Sequence, residues 1–466
     1  MTSKLIGTLI VCTLLQFPLL AQQSLDYSTY IANVKKNHPL IKRAQNVAQI
    51  GNAQLQSARG NYDPTLATNY DNKYYSGKNY YSILNSEIKQ PIFTNQYLKA
   101  GYEYGQGANI SPEETTSAYG LGYIGIEASL LQGLVIDKRR AEVLKAQQYK
   151  AISAAEQKQL TNAILFDASV NYAEWLYAQR VLNVFAYFNT LANERLVAIK
   201  QLTLSGERSG VDTTEASMLA QQRLLEYLSA SVENQKKIAD VATSNWQSDR
   251  ADVFSLALKS TDSLSKLLTD LRLKMMAELN GSTTNNPLIE QYIAKQKLLQ
   301  VEKRYKAELI KPKLDVKYNF LTTSSPTNFS ATLSTNNYKW GATLSFPLLL
   351  RTSIAELKIA KLNLQNTTYE LDNKQNELQN KIALTTNAIA IVAKQLTTAT
   401  STVAYSKAMV MAEKIKFDNG ESSLFLINTR ENKWLESELK LIEYQQKYTK
   451  HIFSLIYLKG NLNYEL

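Results

Sequence analysis

The chain has 466 residues, 44% of them hydrophobic, a formal net charge of +11 and a single cysteine. This length allows two or three ordinary domains, and one cysteine, at position 12 near the N-terminus, excludes a disulfide framework or a cysteine-metal site from the rest of the chain. A basic balance raises nucleic acid and anionic membranes as partners. Here Lys and Arg are spread over helical faces, with only short pairs such as Lys35-Lys36 and Arg139-Arg140, so the charge reads as solvated surface and no nucleic acid is expected.

Residues 1–21 have the order of a secretory signal peptide: the charge of Lys4, an apolar run from Leu5 to Leu20, and the small Ala21 before Gln22 and Gln23. The alternative, an anchor helix, needs about 20 apolar residues, and this run is shorter. Cys12 lies inside it, and Val11 stands where a lipoprotein signal wants a small residue. No other apolar run reaches membrane-helix length. If the chain spans a membrane, it must do so as a closed β-barrel, since only helices and closed barrels satisfy their backbone groups in lipid.

Helix is predicted over about 25–59, followed by strands over about 62–131. Leu66, Thr68, Tyr70 and Tyr74 alternate with Asn69, Asp71 and Lys73. A further strand-like stretch runs from Leu84 to Tyr104 around Pro91 and Asn95, inside the barrel wall or folded over its rim. A long helix is predicted over 133–204, a stretch without proline or glycine after Gly133. Its apolar stripe, Ile164, Ala168, Trp175, Ala178, Leu182 and Phe185, has helix-packing spacing. At about 1.5 Å per residue such a helix reaches about 100 Å, the length of a coiled coil rather than of a globular helix. A turn at 205–211 and a helix over about 212–256, capped by Asp212, Thr213 and Thr214, complete the first half.

After a connecting segment at 257–285, the second half, 286–466, repeats the first. Helix is predicted over about 286–311, strands over about 313–347, a long helix over 351–417, a turn at 418–423 and a last helix over about 421–459. Leu435, Leu439, Ile442, Ile452, Phe453 and Ile456 form its stripe. His38-Pro39-Leu40-Ile41 matches Asn286-Pro287-Leu288-Ile289, and the same 25-residue interval separates Pro39 from Pro64 and Pro287 from Pro312. Ser129-Leu130-Leu131-Gln132-Gly133 corresponds to Pro347-Leu348-Leu349-Leu350-Arg351, and Leu204-Ser205-Gly206-Glu207-Arg208-Ser209 to Asp418-Asn419-Gly420-Glu421-Ser422-Ser423. In the second half's strands, Leu314, Val316, Tyr318 and Phe320 alternate with Lys313, Asp315, Lys317 and Asn319, and Tyr338, Trp340, Ala342 and Leu344 with Lys339, Gly341, Thr343 and Ser345. Such alternation makes one wet and one apolar face, which fits either an outer-membrane barrel or a soluble sandwich. Tyrosines at strand ends (Tyr70, Tyr74, Tyr80, Tyr81, Tyr119, Tyr123, Tyr338) favour a membrane girdle. Residues 105–118 and 321–337 read as exposed loops.

These paired motifs, in this order, resemble the TolC-like outer membrane efflux protein family over nearly the whole mature chain. Ser129 departs from the proline that the family usually has at its strand-to-helix junction, whereas Pro347 keeps it. The resemblance implies an α+β membrane protein built from two internal structural repeats per protomer. Three protomers would form a trimeric outer-membrane β-barrel continuing into a long periplasmic coiled-coil α-barrel. It also implies a homotrimer, outer-membrane lipid around it, a periplasmic adaptor (membrane fusion) protein and an inner-membrane pump driven by protons or ATP. The chain would be the exit duct of a tripartite efflux pump or type I secretion system.

On that reading the two turns lie at the periplasmic tip. Gly206, Glu207, Ser209, Gly210 and Val211, with Asn419, Gly420, Ser422, Ser423 and Leu424, are expected to dock the adaptor. Asp212, Asp418 and Glu421, with Glu207 nearby, are candidate gate acids, tripled by symmetry; the same acids could simply cap helices in solvent. No catalytic, cofactor-binding or metal-binding residues are expected. The two histidines are His38, in a helix-start motif, and His451, and no phosphate loop, nucleophile elbow or zinc helix occurs. Two rival readings are a secreted or periplasmic structural coiled-coil protein without a pore, and a periplasmic enzyme or binding protein.

Overall fold

The computed structural model describes residues 24–92, 95–247, 250–251, 259–260, 264–279, 286–323 and 336–460. The expected signal peptide with Cys12, much of the 257–285 connection and most of the 321–337 loop lie outside the described residues. The chain divides into two compact units, one of residues 43–160 and 283–380, the other of residues 1–42, 161–282 and 381–466.

The first of these units holds a six-stranded antiparallel sheet made of β1 (Thr65–Tyr75), β2 (Lys78–Pro91), β3 (Gln96–Gln106), β4 (Leu121–Ser129), β5 (Lys313–Thr323) and β6 (Tyr338–Ser345). The order is β6-β5-β4-β3-β2-β1, so β4 pairs with β5 and joins the two repeats side by side. The Leu84–Tyr104 stretch is therefore a hairpin within the sheet, lying between β1 and β4.

Strand register shows why these sequences make a two-faced sheet. Leu66, Ile88, Ala100, Ile124, Phe320 and Tyr338 stand in one cross-strand row through all six strands. Leu98, Ile126, Tyr318 and Trp340 form the adjoining apolar row. The rows between them point to the other face: Lys89, Lys99, Gly125, Asn319 and Lys339 in one, Tyr97, Glu127, Lys317 and Gly341 in the next. On the polar face Glu127 holds both Lys99 at 2.5 Å and Lys89 at 3.2 Å. Tyr123 corrects an expectation. It lies on this polar face, 4% exposed, its hydroxyl donating to Glu87 at 2.8 Å across Gly101, where a Cβ would collide with its ring. Tyr81 shares that face, whereas Tyr70 and Tyr338 lie on the apolar one.

The helices are α1 (Tyr27–Asn37), α2 (Pro39–Gly60), α3 (Lys138–Leu204), α4 (Gly210–Ser244), α5 (Leu264–Leu279), α6 (Pro287–Glu308), α7 (Arg351–Asp418) and α8 (Leu424–Leu458). None of the described helices is long and apolar enough to cross a membrane. The repeat is visible in their lengths: 67 and 68 residues for α3 and α7, 35 each for α4 and α8.

Three boundaries differ from expectation. The helix expected over about 212–256 ends at Ser244, and Trp246–Gln247 pairs antiparallel with Arg250–Ala251 beyond it. The helix expected over 25–59 is broken at His38, whose backbone is extended (φ −61°, ψ 130°), because a residue before proline is pushed out of the helical region. His38 Nδ1 then accepts from the Leu40 N–H at 3.2 Å, just as Asn286 Oδ1 accepts from Leu288 at 2.9 Å at the start of α6. His38 is thus a local cap. Likewise α3 begins at Lys138 and not at Gly133, since Asp137 accepts the Arg140 N–H at 3.0 Å and caps it. Gly133 has φ +86° and donates to Glu308 Oε1 at 3.2 Å.

The unit containing residues 161–282 has an aromatic core. Tyr27 and Tyr30 of α1 meet Tyr172 of α3 at ring separations of 5.3 and 5.5 Å, and Phe453 of α8 stacks on Tyr27. Ala168 and Trp175 from the predicted stripe of α3 and Ile442, Ile452, Phe453 and Ile456 from that of α8 are all buried there. Two of the buried hydroxyls are hydrogen-bonded: Tyr27 bonds Ser169 at 2.8 Å and Tyr172 donates to the Leu25 carbonyl at 3.1 Å. Burying side chains of this size contributes about 1.5–3 kcal/mol each.

Candidate functional site: the paired helix turns

The two turns expected at one end of the long helices share one local design. In the first, the chain leaves α3 through Gly206 at φ +80°, and the Glu207 N–H returns to the Leu202 carbonyl at 2.9 Å. In the second, Gly420 has φ +79° and the Glu421 N–H returns to the Lys416 carbonyl at 2.8 Å. Each glycine takes the left-handed conformation that closes a helix C-terminus. Three residues later a serine caps the next helix. Ser209 Oγ accepts from Asp212 N at 3.4 Å while Asp212 Oδ2 accepts from Ser209 N at 3.3 Å. Ser423 Oγ accepts from Leu426 N at 3.3 Å.

This geometry sorts the expected residues. Helix α4 begins at Gly210 under Ser209, so the cap is Ser209 rather than Asp212, Thr213 or Thr214. Asp212 is the reciprocal member of that capping box, and Thr213 bonds Thr203 at 2.9 Å across the turn. Leu424 is 2% exposed, packed with Ile199, Ala216 and Ile427, so it anchors the turn and is not presented to a partner. Glu207, Gly210, Val211, Asp418, Asn419 and Glu421 are exposed. Ser422 Oγ donates to Glu413 Oε1 at 2.6 Å. The two turns are tied together, with the Arg208 guanidinium 4.7 Å from the centre of the Phe417 ring.

No Cβ clash confronts a side chain at Gly206 or Gly420, because nothing lies within 4 Å of either. Replacing one with alanine therefore costs backbone strain alone, about 1–2 kcal/mol. Gly206→Asn should lose less, since asparagine tolerates this conformation; thermal unfolding of the three proteins measures the ranking.

A buried polar network just behind the turns leaves no local pattern in the sequence. Arg195 of α3 forms a two-pronged ion pair with Glu431 of α8 and also donates to Asn428 Oδ1 at 2.9 Å. Asn428 Nδ2 in turn donates to Glu215 of α4 at 2.9 Å. Beside it, exposed apolar side chains recur every seven residues along α4: Val211, Met218, Leu225 and Val232. A second such row on α7 runs through Leu384, Ile391 and, two heptads on, Tyr405. Exposed heptads are the seam of a coiled coil awaiting a partner helix.

Comparison with known proteins agrees with this geometry. The family described as "Outer membrane efflux protein" matches residues 281–461, the second repeat. No curated protein sequence gives a significant match. Among solved structures, the chain is similar to the Campylobacter jejuni outer membrane channel CmeC, with 13% identity, TM-score 0.63, and 94% of this chain and 86% of that one covered. It is similar to VceC of Vibrio cholerae at 13% identity and TM-score 0.62, over 92% of this chain and 95% of that one. The open state of Neisseria gonorrhoeae MtrE gives 14% identity and TM-score 0.63, over 93% and 89% of the two chains. At such identities the structural likeness establishes the fold, which is that of these outer-membrane channels, with a sheet and paired long helices. The outer-membrane localisation expected from the sequence agrees with these matches. The family match thus covers the second repeat, and the fold of these outer membrane channels extends over nearly the whole chain.

Proposed function

We propose that the chain works as a homotrimer and is the exit duct of a tripartite efflux pump or type I secretion system. It conducts substrate passively from a periplasmic adaptor and an inner-membrane pump to the exterior. The observation that carries this reading is the sheet's division into faces: an unbroken apolar row across six strands on one side, charged and polar rows on the other. A barrel in lipid needs that division, with the apolar face outward and the polar face lining water. A soluble coiled-coil protein has no use for Leu66, Ile88, Ile124 and Trp340 left 69%, 50%, 46% and 65% exposed.

The exposed heptads of α4 and α7 support association of copies through their helices. The turns support adaptor docking at Gly206, Glu207, Gly210, Val211, Asn419 and Gly420, and at Phe425, which is 66% exposed beside them. Passage is governed by width and wall charge rather than bond chemistry. Asp418 and Glu421, exposed at the second turn, are the acids placed to form rings when three copies meet.

The purified protein should run as a heat-sensitive trimer on unheated gels and conduct in planar bilayers. A soluble monomer without conductance overturns the reading. Replacing Asp418 and Glu421 together with alanine should weaken cation preference. Unchanged conductance and ion preference would remove both from the gate.

A further inference from the structure

Among the described residues the sheet has two free edges, β1 and β6. A row of unpaired backbone N–H and C=O groups is tolerated at the surface of a soluble protein when it is short, bulged or broken by proline. In lipid it is not tolerated, and the sheet must close. Six strands are too few to close alone, since the smallest bacterial barrels have eight. Both edges are also unprotected: β1 runs for 11 residues, every one of them exposed, and β6 for 8. Neither contains a proline, and the one register irregularity in β1 comes at its far end, between Lys73 and Tyr74.

The strand directions suit closure between copies. All five pairings are antiparallel, so β1, which leaves α2, and β6, which leads into α7, run in opposite senses. The β6 of one copy can therefore pair antiparallel with the β1 of the next, a head-to-tail contact that rotation closes into a ring.

The hairpin β2–β3 decides how large that ring is. It does not fold over the rim: β1 pairs with β2, β2 with β3 and β3 with β4. Its side chains obey the same two-faced rule as the strands around it. Ile88 and Ala100 complete the apolar row from Leu66 to Tyr338, and Leu98 extends the next one. On the other face Glu87 and Lys99 lie 3.6 Å apart, and Lys89 and Lys99 both reach Glu127 of β4. The start of β3 lies at the end of the sheet where the helices attach, since the Ser129 N–H, at the exit of β4 toward α3, donates to the Asn95 carbonyl at 3.1 Å.

We propose that the β2–β3 hairpin is barrel wall, so that β1 and β6 pair between copies and three copies close a barrel of eighteen strands, six from each. This rests on the homotrimer proposed above. A barrel's diameter grows roughly in proportion to its strand number, and barrels of 16–18 strands enclose an open aqueous channel. The charged groups of the hairpin, Glu87, Lys89 and Lys99, then line that channel in three copies.

A density map of the unmodified protein in lipid nanodiscs tests it directly, by a count of strands around the ring. Eighteen strands with β2–β3 in the wall is the expected result. A trimer with twelve strands and the hairpin outside the wall overturns this inference and leaves the channel reading intact; a particle that is not a trimer overturns the channel reading. A second measurement uses the cysteine content of the chain, whose one cysteine lies in the expected signal peptide. Leu98→Cys should be protected by lipid from a water-soluble maleimide, while Glu103→Cys, on the polar face, should react. Equal labelling of the two in a folded trimer would place the hairpin in water and overturn the proposal.

Discussion

Replacing Ile124 with arginine is expected to abolish the folded trimer in the outer membrane. Ile124 sits in the apolar row of the sheet, in the inner strand β4, between Ala100 and Phe320. An arginine on the lipid face near the bilayer midplane costs about 2–4 kcal/mol per copy. Three copies therefore lose about 6–12 kcal/mol, comparable to the whole stability of an ordinary domain, about 5–15 kcal/mol. The matched control is Thr343→Arg in β6, exposed on the opposite face of the same sheet. That variant should assemble at wild-type level and shift only ion preference, because its guanidinium meets water in the lumen. The readout is the heat-sensitive trimer band in isolated outer membranes. A normal band for Ile124→Arg would mean that this face does not meet lipid.

The two faces of β5 and β6 were legible in the sequence because their period-two pattern is unbroken, and the turns because a glycine and a capping serine act within a few residues. What lay beyond short range was less visible. In β2 the pattern is blurred by Tyr80-Tyr81 and Ile83-Leu84, where neighbours of the same character fall on opposite faces, so the hairpin could be seen but not placed. Residue type alone places Tyr123 in a girdle, whereas its parity, opposite to that of Ile124 and Ile126, puts it on the polar face, where Glu87 accepts from its hydroxyl at 2.8 Å. The break at His38 was signalled by Pro39, and the repeat with Asn286-Pro287 drew attention to a helix start there without revealing the helix end before it. Leu424 resembled a turn residue by position, yet the first residue of α8 faces Ile199 and Ala216. The Arg195–Glu431 pair joins residues 236 apart and leaves no local trace.

That pair carries the second large effect. Glu431→Ala should destabilise the helical unit by about 3–5 kcal/mol, the usual cost of leaving one partner of a buried ion pair behind. The Arg195 and Glu431 side chains are only 11% and 8% exposed, so water does little to replace the lost carboxylate. Arg195→Lys keeps the charge and loses the two-pronged geometry, and a smaller loss is expected. Replacing both residues with leucine should recover most of the stability, since burying two charges is itself costly. The temperature at which helical circular dichroism is lost gives the order: wild type and the double variant highest, Arg195→Lys between, Glu431→Ala lowest. The network also bears on opening. Through Asn428 it connects α3 and α8 to Glu215 of α4, just behind both turns. Any splaying of α4 from α8 at that end has to break the Asn428–Glu215 bond, so Glu215→Ala should raise channel conductance while lowering stability much less than Glu431→Ala. If Glu431→Ala melts with the wild type, the pair is not the clamp that its burial and geometry indicate.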